Sequence, residues 1–489
     1  MASRATVLRA PILRDWLILL FCALILRAAA FGDPFLHPDE AFYAFAGQAM
    51  HHGAVPYIDF WDRKPFGLFA LYWAISGLSD SVLAYQLVAT LCAAGTALVI
   101  AQIARRWVSG WASLMAGVAY LAMLHPLLGM GGQSPVFYNL LIAGAALALL
   151  GGGTSEACGT FRHRYFMAMA LCGLALTIKQ TTLFEGVWFG LAGLWRLRLF
   201  GQSWRHCSRD AALALIIAAF PTLAIAGWYA AHGWWDIWWT AMVSSSARRS
   251  GVGLAATSHN LYAILRLLLV YVGVVVAGLA TQRHAPAFRA DRGLVLGWLA
   301  AAVGGFLAVP NFFIHYALPL LGPLAPLAAL AYARPLLGPA LLVITVTIAV
   351  ILGRPFDRAD RLASRANFDQ MAAVIEHYRA DRPLLVLHGS ALLYPATHSQ
   401  PTSVLVFPEH LINRFETDVS HIKTRAEVRR IIAQRPSVIS IPAYFDPPET
   451  NTGLNDLLVY LRANCRPVWR GLTYEPPATQ IPVLIYACR

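Results

Sequence analysis

Residues 82–104 read VLAYQLVATLCAAGTALVIAQIA, and the next two positions are Arg105 and Arg106. The 23 residues of the run include no Asp, Glu, Lys, Arg or His. As a helix such a run rises about 35 Å, enough to cross the hydrocarbon core of a bilayer. A backbone in hydrocarbon has to satisfy its own N–H and C=O groups, so an isolated run of this kind is expected to be helical. The arginine pair at its end then reads as a cytoplasmic topology signal.

Comparable runs lie at residues 16–31, 211–231 and 336–352. Across all 489 residues, 58% are hydrophobic and 13% charged. That is about half the charge of ordinary soluble domains, which excludes a soluble protein. The net charge of +13 raises nucleic acid as a partner, but the placement of the basic residues argues against it. They stand in short clusters between apolar runs: Arg4, Arg9 and Arg14; Arg105 and Arg106; Arg162 and Arg164; Arg196, Arg198, Arg205 and Arg209; Arg283, Arg289 and Arg292; Arg334. With the N-terminus in the cytoplasm, spans near 15–32, 82–104, 110–125, 135–153, 165–179, 181–199, 210–231, 258–281, 293–309, 317–333 and 336–353 leave every cluster inside. No small-residue cleavage site follows the first run, so it is expected to be retained as a span. Residues 66–78 are apolar but only about 20 Å long as a helix, and read as re-entrant or interfacial.

The expected fold class is therefore an all-α polytopic membrane protein with about 11 transmembrane helices (range 10–13) and a C-terminal extracytoplasmic α/β domain. The division expected is 1–353 for the membrane domain, including a first outside loop at 32–81, and 354–489 for the tail domain. In the tail, helix-like stretches at 368–379 and 424–434 alternate with β-rich runs at 384–387, 438–441 and 483–486. Prolines at 442, 447–448 and 476–477 punctuate them. Cys465 and Cys488 are the two cysteines of the tail. If 466–472 and 482–487 are antiparallel neighbours these two fall opposite each other, and an oxidising compartment permits a disulfide. The other cysteines lie in or beside spans and show no metal-ligand spacing.

The first outside loop carries the chemistry. Residues 31–67 read FGDPFLHPDEAFYAFAGQAMHHGAVPYIDFWDRKPFG. Pro38, Asp39 and Glu40 precede an amphipathic stretch at 41–50, which places Asp39 or Glu40 at a helix N-terminus. Phe35, Phe42, Tyr43, Phe45, Tyr57, Phe60 and Trp61 suit a loop lying at the membrane interface. The sequence Trp61-Asp62-Arg63-Lys64-Pro65 sets two cations at the depth of a lipid phosphate.

This loop resembles that of the GT-C membrane glycosyltransferases, in the branch of protein O-mannosyltransferases and bacterial lipid A aminoarabinose transferases. In that branch an Asp-Glu pair follows the first span, then a Tyr, then a Glu-Lys-Pro-Pro-like motif. Here these positions hold Asp39-Glu40, Tyr43 and Asp62-Arg63-Lys64-Pro65-Phe66, so that Asp62-Arg63 replaces the single Glu and Phe66 the second Pro. LTIKQTTL at 176–183, HYALP at 315–319 and LHGSALLYP at 387–395 resemble further segments of the branch. The resemblance implies a GT-C fold and transfer of a sugar from a polyprenyl-phosphate donor to an envelope glycan, glycolipid or protein acceptor. It places the reaction on the outer face of a bacterial inner membrane, with the N-terminus cytoplasmic and the C-terminal domain periplasmic. Such transfer needs a base for the acceptor hydroxyl and positive charge for the departing phosphate. Asp39 is the expected base, with Glu40 assisting or substituting. Lys64 is the expected phosphate contact, helped by Arg63 and Lys179. Tyr43, Asp62, His315, Tyr316, Arg248 and Arg249 are candidate substrate contacts.

No cofactor is assigned. A divalent metal on Asp39 and Glu40 is left open, because two adjacent carboxylates do not make a site. The expected partners are the lipid-linked donor, membrane lipids and the acceptor, with no nucleic acid. Gln133, Ser134 and Asn139 face the second outside loop, and His51 and His52 read as solvated loop residues rather than metal ligands. The competing class is a transporter or flippase of lipid-linked substrates, with an inactive relative as a further alternative. Transporters place charge in mid-span and show inverted repeats, whereas here the carboxylates gather in one loop and no repeat is visible.

Overall fold

The computed structural model describes residues 2–150, 157–248, 253–280, 285–380, 382–443, 452–475 and 479–489. Helices stand at each expected span: Ala2–Arg27, Val82–Ala104, Gly110–Met123, Ser134–Leu150, Cys158–Ile178, Leu183–Leu199, Trp204–Ala231, Leu254–Ala280, Phe288–Leu307, Leu321–Tyr332 and Leu337–Gly353. Among the described residues, six helical segments are long and apolar enough to cross a membrane by length and composition alone. Others are shorter, such as Gly110–Met123 and Ser134–Leu150, and most of their side chains are buried against other helices. Exposed apolar side chains are the complement of this packing. On Trp204–Ala231, Leu215, Ile216, Phe220 and Leu223 are all more than 60% exposed, as suits lipid contact rather than water. The protein is a polytopic helical membrane protein.

The chain divides into two compact units: Met1–Ala28, Val88–Ile225 and Gly253–Phe356 form the first, and Ala29–Leu87, Ala226–Val252 and Asp357–Arg489 the second. In the first unit, several arginines of the topology clusters have partners. Buried Asp15 takes Arg14 and Arg105. Asp291 accepts from Arg106 Nε at 2.8 Å and from Trp107 Nε1 at 2.9 Å. Asp210 is gripped by both Nε and Nη2 of Arg162, at 2.8 and 2.7 Å. Arg283 lies outside the described residues.

The second unit joins the first loop to the tail. Helix Pro38–His51 packs on helix Phe66–Ser76, the segment too short to be a span. A Cβ at Gly47 would fall 2.6 Å from the Tyr72 carbonyl oxygen, so the close approach needs glycine there. Buried Asp33 anchors the loop to helix Arg358–Tyr378. Its carboxylate accepts from Arg361 Nη1 at 2.7 Å and from Ser364 Oγ at 2.6 Å. Beyond that helix, β1 (Leu384–Val386), β2 (Val438–Pro442), β3 (Cys465–Glu475) and β4 (Thr479–Cys488) form one sheet in the order β1-β2-β4-β3. β1 and β2 are parallel, while the β2–β4 and β3–β4 pairs are antiparallel. The β3–β4 register sets Cys465 opposite Cys488, and the two are joined by a disulfide. The prolines at 447–448 and 476–477 lie outside the described residues.

Candidate functional site

Proline at N1 is favoured because its missing N–H has no helical partner in any case. Pro38 therefore starts its helix earlier than the apolar periodicity alone indicates, and both Asp39 and Glu40 lie in the first turn. His37 is the cap: its Nδ1 accepts the Asp39 backbone N–H at 3.2 Å. An accepting ring nitrogen has to be unprotonated. Burial lowers the His37 pKa, with the Lys64 cation acting in the same direction and Asp39 against it, so the neutral ring is favoured. Glu40 turns into the interior and is 1% exposed, while the Asp39 side chain keeps 13% exposure.

Tyr43 follows Asp39 by four residues and so shares its helix face. Lys64 reaches both: its Nζ donates to Tyr43 Oη at 2.6 Å and to Asp39 Oδ2 at 3.3 Å, and lies 5.0 Å from the Tyr43 ring centroid. The Lys64 backbone is held on both sides. Its N–H donates to Asp62 Oδ1 at 3.0 Å, and its carbonyl accepts from Tyr57 Oη at 2.8 Å. Tyr57 itself is buried with φ at 69°, a left-handed conformation rarely used by aromatic residues. Burial alone would raise the Asp62 pKa; Lys64, His410 and Arg63 outweigh it and bring it down to about 2. The 3.9 Å from Asp62 Oδ2 to His410 Nε2 is an ion-pair separation, longer than a hydrogen bond. Arg63 Nη2 donates to Glu416 Oε1 at 2.9 Å.

Asp39, Glu40, Tyr43, Asp62, Arg63 and Lys64 thus all belong to the second unit. Arg248 also belongs to it, with Nη1 donating to the Ser420 carbonyl at 3.4 Å. Arg249 lies outside the described residues. The first unit holds Lys179, His315, Tyr316, Gln133, Ser134 and Asn139. Lys179 closes helix Cys158–Ile178, and its Nζ stands 5.0 Å over the Tyr316 ring. His315 and Tyr316 lie in the 3₁₀ turn Ile314–Leu320, their rings 4.7 Å apart and edge to face. Gln133, Ser134 and Asn139 are buried, and Asn139 Nδ2 donates to the Leu318 carbonyl at 3.2 Å. His51 is exposed and stacks on Trp73, with Nε2 2.8 Å from the Trp73 carbonyl. Among the described residues no group of three or more His, Cys, Asp or Glu side chains is arranged to hold a metal.

Other polar residues escaped the sequence reading. Glu185 is buried in the first turn of Leu183–Leu199 and accepts from Trp298 Nε1 at 2.7 Å. Arg27 is buried at the end of Ala2–Arg27 and donates to the carbonyls of Gly129 and Gly131. Both could have been flagged as ionisable residues inside apolar stretches. His37 carried a weaker signal, standing just ahead of Pro38. His410 and Glu416 carried none, because their partners lie about 350 residues away in the chain.

The chain matches no protein-family profile and no curated protein. Its structure is similar to the crystal structure of ArnT from Cupriavidus metallidurans bound to undecaprenyl phosphate. The TM-score is 0.62 at 14% identity, over 99% of this chain and 98% of that one. The apo form of the same protein gives a TM-score of 0.59 at 14% identity, with the same coverage. The chain therefore has the fold of that protein over nearly its whole length, the fold that the resemblance in the first loop implies.

Proposed function

We propose that this protein is a membrane glycosyltransferase that takes a sugar from a polyprenyl-phosphate donor and passes it to an envelope glycan, glycolipid or protein hydroxyl. The observation that carries the reading is Lys64, whose ammonium stands at hydrogen-bond reach of both Tyr43 and Asp39. A neighbour in fold binds undecaprenyl phosphate, which supports a lipid phosphate as the leaving group. We place the reaction on the outer face of a bacterial inner membrane, with the N-terminus cytoplasmic and the tail periplasmic.

In this scheme Asp39 accepts the proton of the acceptor hydroxyl as its oxygen attacks the anomeric carbon. The bond from that carbon to the phosphate oxygen breaks, and the polyprenyl phosphate leaves with the electron pair. Lys64 stabilises the charge that develops on it, with Arg63 and Lys179 as supporting cations. An ammonium has three N–H donors, so Lys64 can serve the phosphate while keeping Tyr43. The negative charge of the bound phosphate offsets part of the field of the ammonium at Asp39, which makes the carboxylate a better base once the donor is bound. Glu40 is the substitute base, and its burial in the same turn makes it the weaker candidate. Tyr43, His315, Tyr316 and Arg248 remain proposed substrate contacts.

The test is transfer by the purified, detergent-solubilised protein. It is supplied with a panel of polyprenyl-phosphate sugars and a membrane glycolipid extract, alongside Asp39→Asn. Transfer by wild type that collapses in the folded variant supports the reading and its base. No transfer from any donor, with lipid-linked sugar instead crossing proteoliposomes, would overturn it in favour of a transporter.

A further inference from the structure

Residues 61–63 are tied to the tail position by position. Trp61 donates its backbone N–H to the Val404 carbonyl at 2.8 Å, and its ring stands edge-on to His410 at 4.9 Å. Asp62 Oδ2 lies 3.9 Å from His410 Nε2, and His410 Nδ1 lies 3.7 Å from Glu416 Oε2. Arg63 Nη2 closes the circuit on Glu416 Oε1 at 2.9 Å. His410 and Glu416 are 2% and 4% exposed, so this is a buried cluster of charged and titratable groups drawn from two distant parts of the chain.

We propose that Glu416 and His410 are positioning residues for Lys64, and that Arg63 is the anchor through which Glu416 acts. The proposal rests on the donor reading above and gives the tail a part in it. Lysine carries a flexible four-carbon stem, so the place of its ammonium depends on where the backbone presents that stem. At Lys64 the backbone N–H is fixed by Asp62, whose other oxygen faces His410. The next residue back, Arg63, is fixed by Glu416 in a charge-assisted bond, which is stronger and more directional than a neutral one. Stability alone does not call for such a cluster, because well-packed apolar residues of similar volume commonly do as well as buried ion pairs. Its charges converge on the two residues that precede Lys64, where a shift of an ångström would move the ammonium away from Tyr43 and the incoming phosphate.

The experiment measures binding of undecaprenyl phosphate, which needs no transfer, to the full-length detergent-solubilised protein, well below the melting temperature of every variant. Lys64→Ala is expected to weaken binding by about tenfold or more, and Glu416→Gln by about three- to tenfold. Glu416→Asp, which keeps the charge, should recover part of that loss, and His410→Gln should resemble Glu416→Gln. His410→Gln combined with Glu416→Gln should bind no worse than the more weakly binding single variant, because both act through the same cluster. Wild-type affinity in Glu416→Gln and His410→Gln, beside a clear loss in Lys64→Ala, would overturn the positioning role and leave the donor reading intact. So would additive losses in the double variant. If wild type binds no polyprenyl phosphate, the donor reading itself fails, and the proposal with it.

Discussion

The open pair Asp39–Lys64 of the loop-and-tail unit differs from the arginine-covered aspartates of the helical unit. In the helical unit the buried aspartates Asp15 and Asp210 are covered by arginines. Asp15 is 0% exposed and Asp210 3%, while their arginine partners lean outward at 25–52% exposure. In the loop-and-tail unit, Asp39 and Lys64 are both partly open, at 13% and 17%, and Lys64 also donates to the Tyr43 hydroxyl. An ion pair that only holds a helix end gains nothing from access, because arginine can keep its stem on the protein and its head toward water. A pair that meets a substrate has to leave room on both charges. Similar residue types therefore mark different tasks, and it is accessibility that separates them.

The largest expected effect puts that contrast to the test. Asp39→Asn should lower transfer by about a thousandfold, the range of general-base catalysis, with little change in Tm. Asp15→Asn should do the reverse: transfer per folded molecule is kept, and stability falls by on the order of 2 kcal/mol, a value discounted for the exposure of its arginines. Thermal unfolding and turnover measured on the same preparations separate the two. A matching loss of turnover in Asp15→Asn would break the distinction.

A smaller effect sharpens the picture of the open site. Tyr43→Phe keeps the ring and removes the hydroxyl 2.6 Å from Lys64 Nζ. Affinity for undecaprenyl phosphate should fall about three- to tenfold, the worth of one ordinary hydrogen bond. Unchanged affinity would mean that Lys64 meets the phosphate without this support.

The smallest effect is a pH dependence. Asp62 has its pKa brought down to about 2, so its charged form stabilises the fold fully above the ordinary carboxylate range. That contribution is lost as pH falls from near 4 toward 2. Between pH 5 and pH 3 the wild type should lose roughly 1 kcal/mol that Asp62→Asn does not lose. Parallel melting curves in detergent read the difference, and identical acid slopes would show that Asp62 is not held as the geometry indicates.

Much of this was legible in the sequence, for reasons that differ by region. The run at 82–104 declared its helix because apolar length alone decides the outcome in hydrocarbon. Tail strands at 384–387, 438–441 and 483–486 were visible because buried strands read as short β-branched and aliphatic runs between turns. The loop's Asp39, Tyr43 and Lys64 stood out because they hold positions of the motif that the loop resembles, in a stretch that gathers several charges. Helix limits were less visible, since the cap at His37 depends on a side chain bonding to backbone. Glu185 was overlooked because one carboxylate hardly alters the mean hydropathy of its run.

Sequence by itself determined that this is a polytopic helical membrane protein with a polar, aromatic first loop and an α/β tail. These properties follow from local hydropathy and periodicity, which each segment carries within itself. Only the tertiary structure decided that Lys64 meets Tyr43 and Asp39 while Arg63 turns to Glu416. Those bonds join residues 21 to 353 positions apart, and no local pattern records which distant partner a charge will find. The partner is set by the packing of the loop against the tail, where each charge taken from water has to be met by another.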